Sequence, residues 1–443
     1  MFKVVGSLSL IAGFRFFGLF VVMPTLALYA KSLGANNTMV IGFAISSYAI
    51  SQIIFQVPFG ILGDRYSKRN IIAFGLIIFA IGSFICAFAN NIETIILGRI
   101  IQGAGAIGSV VSAKITDLIS EENRGKAMAF MGISIFVSFI LAMVIGPSFG
   151  VIFGVDKLFL LTAILSLLAI IPLYTIVPKA PHLKYEVLND KKRYLVIFSN
   201  KNLTILNISV MIQKFLMTFA FTIIPITLVH HLGMNEKDIW KVFSISALFG
   251  IIAILPSMII SEKYKHPKEV LLVAIVIFAI AYLSMGLGDL DKMLILYTIG
   301  VVLFFCAFCM HEPILQNLAS KYPKMQDKSL SLGIFTTFGY FGSFFGGIIG
   351  GFIFNKIDFI YIAIVIFIFM LIWFILLLFL QNPRLYENIY IKLDSNIKEI
   401  KEINNIFGVI ESYINNNMLV IKFDNTKIDV NELRRLIIKD FIL

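Results

Sequence analysis

Long apolar stretches separated by short polar segments dominate the chain from residue 5 to residue 380. About 20 apolar residues suffice for a helix to cross a bilayer, because the hydrocarbon core is about 30 Å thick. Twelve stretches meet this length, at about 5–30, 38–62, 70–89, 91–115, 127–153, 157–178, 203–230, 239–261, 269–288, 292–318, 329–354 and 358–380. The pattern therefore predicts an all-α membrane protein with twelve transmembrane helices.

Basic residues alternate between the loops of this predicted bundle. Eighteen of them lie in the loops that follow helices 2, 4, 6, 8 and 10, whereas the other six loops together hold six. Basic residues stay on the cytoplasmic side of a membrane. The alternation predicts a multi-pass protein of the bacterial inner membrane with both termini in the cytoplasm.

The two halves of the helical region resemble each other. Arg15 in helix 1 stands at the position that Lys214 takes in helix 7, and Gly146 in helix 5 matches Gly346 in helix 11. We predict an N-terminal six-helix bundle at 1–178, a cytoplasmic linker at 179–201 and a C-terminal six-helix bundle at 202–381. Parallel repeats of this kind place the binding site near the middle of the membrane, between the halves.

The last part of the chain, 382–443, differs from the rest because its apolar runs are short and interrupted by charges. The pattern predicts strands at 387–393, 409–414 and 418–423 and helices at 395–405 and 429–439. This βαββα order predicts a small cytoplasmic α+β domain, ferredoxin-like in its topology.

Composition narrows the class of protein. Of the 443 residues, 59% are hydrophobic and 14% are charged, which excludes a soluble globular protein and a disordered one. A net charge of +11 can indicate nucleic-acid binding. Here the loops account for the basic residues, so we expect no nucleic-acid partner. The sequence has no glycine-rich phosphate loop, nucleophilic triad or metal-ligand cluster, so we expect neither an enzyme nor a bound metal or other cofactor.

Charged residues inside the predicted helices are costly and are functional candidates by default. Glu312 lies within helix 10, next to His311. An apolar site favours the protonated carboxyl group, so we expect Glu312, with His311, to couple transport to protons. Alternatively, Glu312 makes a polar contact that holds helix 10 to its neighbours, or it belongs to an inner gate. Four residues are assigned to the substrate cavity: Arg15, Arg99, Gln102 and Lys214.

The basic cavity residues have two possible roles. Arg15 and Lys214 would bind an anionic group of the substrate, or they would act as counter-ions that control protonation of Glu312. For Arg99 the alternative to a cavity role is a structural role, because the helix 4 motif in which it lies is widely shared.

Two glycine motifs indicate close helix packing. Residues 60–69, in the loop after helix 2, read Gly-Ile-Leu-Gly-Asp-Arg-Tyr-Ser-Lys-Arg, and Asp64 within them can reach the positive N-terminal end of another helix. Such a contact exists only while two bundles are together, so it can bias one conformational state. In helix 5, Gly146, Pro147 and Gly150 permit a bend and close packing. Alternatively, residues 60–69 form an ordinary basic loop, and the helix 5 residues serve ordinary helix packing.

These motifs resemble those of the major facilitator superfamily. Residues 60–69 resemble its loop 2–3 signature, with Ser67 where glycine is usual. Residues 99–105 resemble the helix 4 motif of the drug:proton antiporter branch. Gly146, Pro147 and Gly150 resemble that branch's antiporter motif, although Val151 and Ala142 replace glycines. With its terminal domain, the whole chain resembles members of that branch that carry such a module.

The resemblance implies a fold of two six-helix bundles and roles for single positions. Asp64 would dock against the start of helix 11 and hold an outward-open state. Lys68 or Arg69 would pair with Asp117 at the end of helix 4. The conformational switch is thereby assigned to Gly60, Gly63, Asp64, Arg65, Lys68, Arg69 and Asp117.

We expect a proton-coupled secondary transporter that exports small organic or drug-like compounds by alternating access, with the proton gradient as its energy source. Its expected partners are the substrate, protons and the lipid bilayer, and we expect a monomer. A facilitator or importer of sugars or organic anions is one alternative. A membrane sensor or scaffold that acts through residues 382–443 is another.

Overall fold

Twelve helices that are long and apolar enough to cross a membrane make up most of a computed structural model of the chain. The structure describes residues 2–119, 121–178, 197–323, 328–354, 356–381, 386–392, 403, 406–415, 418–425 and 427–440. Spans 1 to 12 are Lys3–Ser32, Thr38–Gly63, Lys68–Ala87, Ile92–Leu118, Phe130–Phe153, Val155–Thr175, Lys201–His231, Glu236–Lys263, Pro267–Leu290, Leu294–Lys321, Leu330–Ile353 and Phe359–Leu378. Each lies within a few residues of its predicted stretch, so the twelve predicted helices are confirmed. The predicted linker lies mostly outside the described residues.

Several spans are interrupted or extended. Span 1 consists of helices Phe2–Phe20 and Met23–Ser32, span 4 of Ile92–Ala104 and Gly108–Leu118, and span 6 of Val155–Leu168 and Ile170–Thr175. Spans 2, 5 and 11 belong to the longer helices Thr38–Arg65, Glu121–Phe153 and Lys328–Ile353. Span 7 consists of helix Lys201–Ile226 and a π turn at Thr227–His231. Span 8 consists of a 3-10 turn at Glu236–Asp238, helix Ile239–Met258 and a π turn at Ile259–Lys263. The breaks matter because they leave backbone carbonyls free to bind side chains.

The spans pack as two groups. Spans 1 to 6 contact one another extensively, as do spans 7 to 12. Contacts between the halves run mainly from span 2 to span 11, from span 5 to span 8 and from span 1 to span 7. We call the face that carries the loops after spans 2, 4, 6, 8 and 10 the basic face, and the other the opposite face.

The halves meet tightly at the opposite face. Gly42 of span 2 and Gly347 of span 11 bring their backbones into contact, and a side chain on either one would collide with the other helix. The hydroxyl of Thr38 donates to the Gly351 carbonyl at 2.6 Å. Between spans 1 and 7, the Lys31 ammonium lies 2.9 Å from His230 Nε2. The opposite face is therefore closed in this state.

A three-stranded antiparallel sheet follows the last span. Its strands are β1 (Tyr386–Lys392), β2 (Val409–Asn415) and β3 (Met418–Asp424), in the order β1-β3-β2, and helix Val430–Asp440 comes after them. The three predicted strands and the second predicted helix are present. The predicted helix at 395–405 lies mostly outside the described residues, so a ferredoxin-like topology stays a prediction.

The two faces of β3 have different partners. Leu419, Ile421 and Phe423 are buried on one face, in a core that includes the terminal helix. Lys422 points to the other side, where its ammonium donates to the carbonyls of Lys321 at 2.8 Å and Pro323 at 2.9 Å. These carbonyls lie at the basic end of span 10, so the terminal sheet is attached to the span that carries Glu312.

Candidate functional site

Glu312, the acid that the sequence placed within helix 10, is paired with a lysine. The Lys214 ammonium of span 7 donates to the Glu312 carboxylate of span 10 at 2.8 Å. The amide of Gln316, one helical turn away, donates to the other carboxylate oxygen at 2.9 Å. The side chains of Lys214 and Glu312 retain only 16% and 13% exposure, respectively. The structure thus brings together two residues that the sequence proposed for the site, in a poorly hydrated position where their charges interact strongly.

Aromatic rings lie beside this pair. The Phe139 ring of span 5 is 5.0 Å from Phe308 and 6.4 Å from Phe305, both in span 10. Phe308 also lies 5.0 Å from the Lys214 ammonium. Span 10 runs from the opposite face to the basic face, so these rings lie on the opposite-face side of Glu312. The pair is therefore separated from the opposite face by these rings and by the contacts between the halves.

His311 does not belong to the pair. Its side chain is fully buried, with the ring 4.9 Å from Trp373 and 6.2 Å from Phe278. Neither ring nitrogen has a hydrogen-bond partner among the residues that the structure describes. Neighbouring residues of a helix point about 100° apart, so Glu312 faces Lys214 while His311 enters the core of the second half. His311 is therefore left out of the proton site proposed below.

Arg15, the counterpart of Lys214, has a different environment. Its guanidinium is fully buried, and Nε donates to the Gly105 carbonyl at 2.8 Å. That carbonyl is available because span 4 is interrupted after Ala104. Tyr340 of span 11 also interacts with the guanidinium. In this state Arg15 joins the halves, and its assignment to the substrate cavity stays a prediction.

Arg99 and Gln102 also lie in the interior. Arg99 donates to the Gln102 side chain at 2.6 Å, and Gln102 donates to the Ser83 hydroxyl at 2.8 Å. The Arg99 guanidinium stacks over the Tyr48 ring at 4.7 Å. These contacts tie spans 2, 3 and 4 together, which favours the structural role for Arg99. Both residues are fully buried in this state, so their assignment to the substrate cavity stays a prediction.

Two tyrosines that the sequence did not single out connect the halves. Tyr340 lies beside Arg15, and Tyr48 lies beside Ser343 of span 11. Tyrosine is common in ordinary helix cores, so neither position carries a signal of its own. Their shared partner, span 11, is visible only once the two halves are placed together.

The loop after span 2 forms one of the two predicted ion pairs. The Lys68 ammonium lies 2.9 Å from the Asp117 carboxylate. Arg69 instead donates to the carbonyls of Tyr174 and Val177 at the end of span 6, at 3.2 and 3.4 Å. Lys68 is therefore the residue that links spans 2 and 3 to span 4.

The other members of the switch motif differ in how they pack. Gly63 lies against Val110 of span 4, whereas a side chain at Gly60 would meet only Ser109 at 3.9 Å. Arg65 is exposed. Asp64 lies in the last turn of its helix, but its side chain is outside what the structure describes, so its predicted contact with span 11 stays a prediction.

Replacing Asp117 by asparagine is expected to destabilise the protein. The Lys68 and Asp117 side chains are only 12% and 7% exposed, so the change removes a charge–charge contact from a poorly hydrated position. Removing one partner of a buried pair costs about 3 kcal/mol. Thermal unfolding in detergent measures the loss. Arg65→Gln, in the same loop but exposed, is the control and should change the melting temperature little; an equal loss in both variants would contradict the pairing.

The glycines of the antiporter motif hold span 5 against span 1. Gly146 packs on the Val21 carbonyl, at the break in span 1, where a side chain would collide with the backbone. Gly150 faces Thr25 and Leu158, and Pro147 lies inside the Glu121–Phe153 helix. The motif thus permits a close approach between spans 1 and 5, as its small residues predict.

Metal chemistry finds no support in the described part of the chain. No three of its His, Cys, Asp and Glu side chains form a group that could hold a metal ion. Cys306 and Cys309 are free thiols, although their spacing in span 10 resembles a metal or redox motif.

Known proteins resemble the chain over most of its length. The family model described as Major Facilitator Superfamily matches residues 8–323 and 203–405. "Inner membrane transport protein YajR" of Escherichia coli is 33% identical over 357 residues, covering 80% of this chain and 77% of that protein. "Multidrug resistance protein 2" of Bacillus subtilis is 24% identical, covering 77% and 86%. Among solved structures, a D-xylose-proton symporter aligns with a TM-score of 0.68 at 17% identity, covering 84% of this chain and 97% of that one.

Proposed function

The chain belongs to the major facilitator superfamily, and on that premise we propose that it is a proton-coupled secondary transporter. We infer that it exports small organic or drug-like compounds across the bacterial inner membrane. The relatives support this choice, since one is named an inner membrane transport protein and another a multidrug resistance protein. The proton gradient would supply the energy.

The observation that carries the proposal is the ion pair between Lys214 and Glu312. While both are charged, the pair is neutral overall and is stable in a site with little water. Protonation of Glu312 leaves the Lys214 ammonium without its counter-charge, and an isolated charge in such a site is costly. The protonated site therefore favours either a state with more water or a ligand with a negative or hydrogen-bond-accepting group near Lys214. Both outcomes link proton binding to transport.

We further propose that the basic face is cytoplasmic, as its loops require under the positive-inside rule. The closed opposite face would then be periplasmic, and the structure would represent an inward-facing state of a monomer. In the outward-facing state, Asp64 would dock on the start of span 11. The terminal α+β domain, ferredoxin-like in this proposal, would lie in the cytoplasm against span 10. The sheet order β1-β3-β2 supports that topology.

A substrate screen followed by flux assays tests the function. Purified protein is screened by thermal shift against organic compounds, and each stabilising compound is then measured in proteoliposomes with an imposed pH gradient. We expect accumulation against the compound's own gradient that collapses when a protonophore is added. Transport that only equilibrates the compound, and is indifferent to the protonophore, would favour a facilitator of sugars or organic anions.

A further inference from the structure

A groove outside the proposed transport site runs between spans 7 and 12 at the basic face. It has a volume of about 480 Å³, and its walls are apolar side chains that include Ile205, Ile208 and Leu376. Four lining residues belong to span 7 and follow one another at helical spacing: Lys201, Thr204, Ile205 and Ile208. From Lys201 to Ile208 the groove follows the span for about 10 Å at 1.5 Å per residue. This shape suits a hydrocarbon chain lying parallel to the helices.

Lys201 lines the basic end of this groove, and Lys268 lies beside the same end of span 12. The Lys201 ammonium is 5.0 Å from the Phe379 ring, and the Lys268 ammonium donates to the Leu378 carbonyl at 2.5 Å. Because Leu378 and Phe379 are consecutive, both positive charges converge on the end of span 12. Lys201 is exposed and Lys268 is half-buried, so an incoming ligand can reach Lys201 directly. No acid is among the residues that line the groove.

We propose that this groove is a binding site for an anionic phospholipid. The acyl chain would lie along Ile205, Ile208 and Leu376, and the headgroup phosphate would contact Lys201 and Lys268. Basic pockets between transmembrane helices on the cytoplasmic side recognise such headgroups. A zwitterionic lipid presents the same chain but a headgroup without net charge, so the two lysines select for the anionic one. Bound there, the lipid would join the first turn of span 7 to the last turn of span 12.

Native mass spectrometry of delipidated full-length protein tests the site. Phosphatidylglycerol and phosphatidylcholine with identical acyl chains are titrated separately, and the ratio of their dissociation constants gives the headgroup preference. One lysine near an anionic headgroup contributes about a fivefold change in affinity. We expect phosphatidylglycerol to bind at least tenfold more tightly. Equal affinities, or full competition by glycerol phosphate without acyl chains, would overturn the proposal.

Three variants separate the parts of the site. Lys201→Gln should lower the preference about fivefold, whereas Lys201→Arg should preserve it. Ile208→Trp fills the apolar wall and should weaken both lipids alike. Lys263→Gln removes an exposed charge from the same face, away from the groove, and should change neither affinity. If Lys263→Gln lowers the preference as much as Lys201→Gln, the attraction is general to the face and the site is refuted.

Discussion

Glu312→Gln is expected to abolish proton-driven transport while the protein still folds and binds its substrate. Glutamine keeps the size of the side chain and can hydrogen bond with Gln316, but it cannot exchange a proton. Removing a proton-transfer group costs about a hundredfold or more in rate. Accumulation driven by a pH gradient should therefore fall to the background of empty vesicles, for any compound that the screen identifies.

The matched control is Glu262→Gln. Glu262 of span 8 contacts Asn317 and Lys321 at the basic end of span 10, so it touches the helix that carries Glu312 but lies outside the poorly hydrated pair. Its variant should retain proton-driven accumulation. Thermal shift with the same compound checks that Glu312→Gln still binds. Normal proton-driven accumulation by Glu312→Gln would rule out the assigned role.

Gly347→Ala is expected to open the opposite face. Its new methyl carbon would lie 2.6 Å from the Gly42 carbonyl oxygen and 2.6 Å from the Ser46 Cβ atom, closer than such atoms approach. The Gly42 carbonyl belongs to a helix backbone and cannot rotate away, so spans 2 and 11 must separate. Electron–electron distances between spin labels at Asn36 and Lys356 measure this, after the three native cysteines are replaced. We expect the population with the longer distance to become dominant.

Gly333→Ala provides the control on the same helix. A methyl group there meets no atom within 4 Å. Alanine also has a higher helix propensity than glycine, by about 1 kcal/mol. This variant should keep the distance distribution of the wild type and should unfold at the same or a higher temperature. If both variants give that distribution, the contact between Gly42 and Gly347 does not hold the face closed.

The spans could be predicted from sequence because a bilayer offers no hydrogen bonds to the backbone. A helix must then satisfy its own peptide groups over the full thickness of the bilayer, and its side chains form a long apolar run in the sequence. The pair of Lys68 and Asp117 was also accessible, since a motif fixed both positions. The sequence could not decide whether Lys68 or Arg69 pairs with Asp117, because the answer depends on the carbonyls at the end of span 6 that accept hydrogen bonds from Arg69.

The internal repeat contains more information than its matching positions alone. Lys214 and Arg15 correspond, yet only Lys214 meets an acid. The segment of span 4 that matches Glu312 reads Ser112-Ala113-Lys114, without a carboxylate. Arg15 binds the Gly105 carbonyl instead. The two cations therefore differ in the partners that their own repeats can offer, and the amino-acid sequence already contains that difference.

The direction in which the His311 side chain points could not be predicted from the sequence. It is adjacent to Glu312, and adjacency suggested a shared role. In a helix, however, adjacent residues face different neighbours, and only the positions of Trp373 and Phe278 show that His311 enters the core. The aromatic rings around Phe139 were missed for a related reason. Phenylalanine is abundant throughout the chain, so no single position stood out.

Infrared difference spectroscopy of the purified protein tests the proton site without a known substrate. Acidification also protonates the other carboxyl groups, so the two proteins are compared: the carbonyl stretch of the wild type should contain one component that is missing in Glu312→Gln. A wild-type band that persists unchanged in Glu312→Gln would contradict Glu312 as the residue that binds the coupling proton.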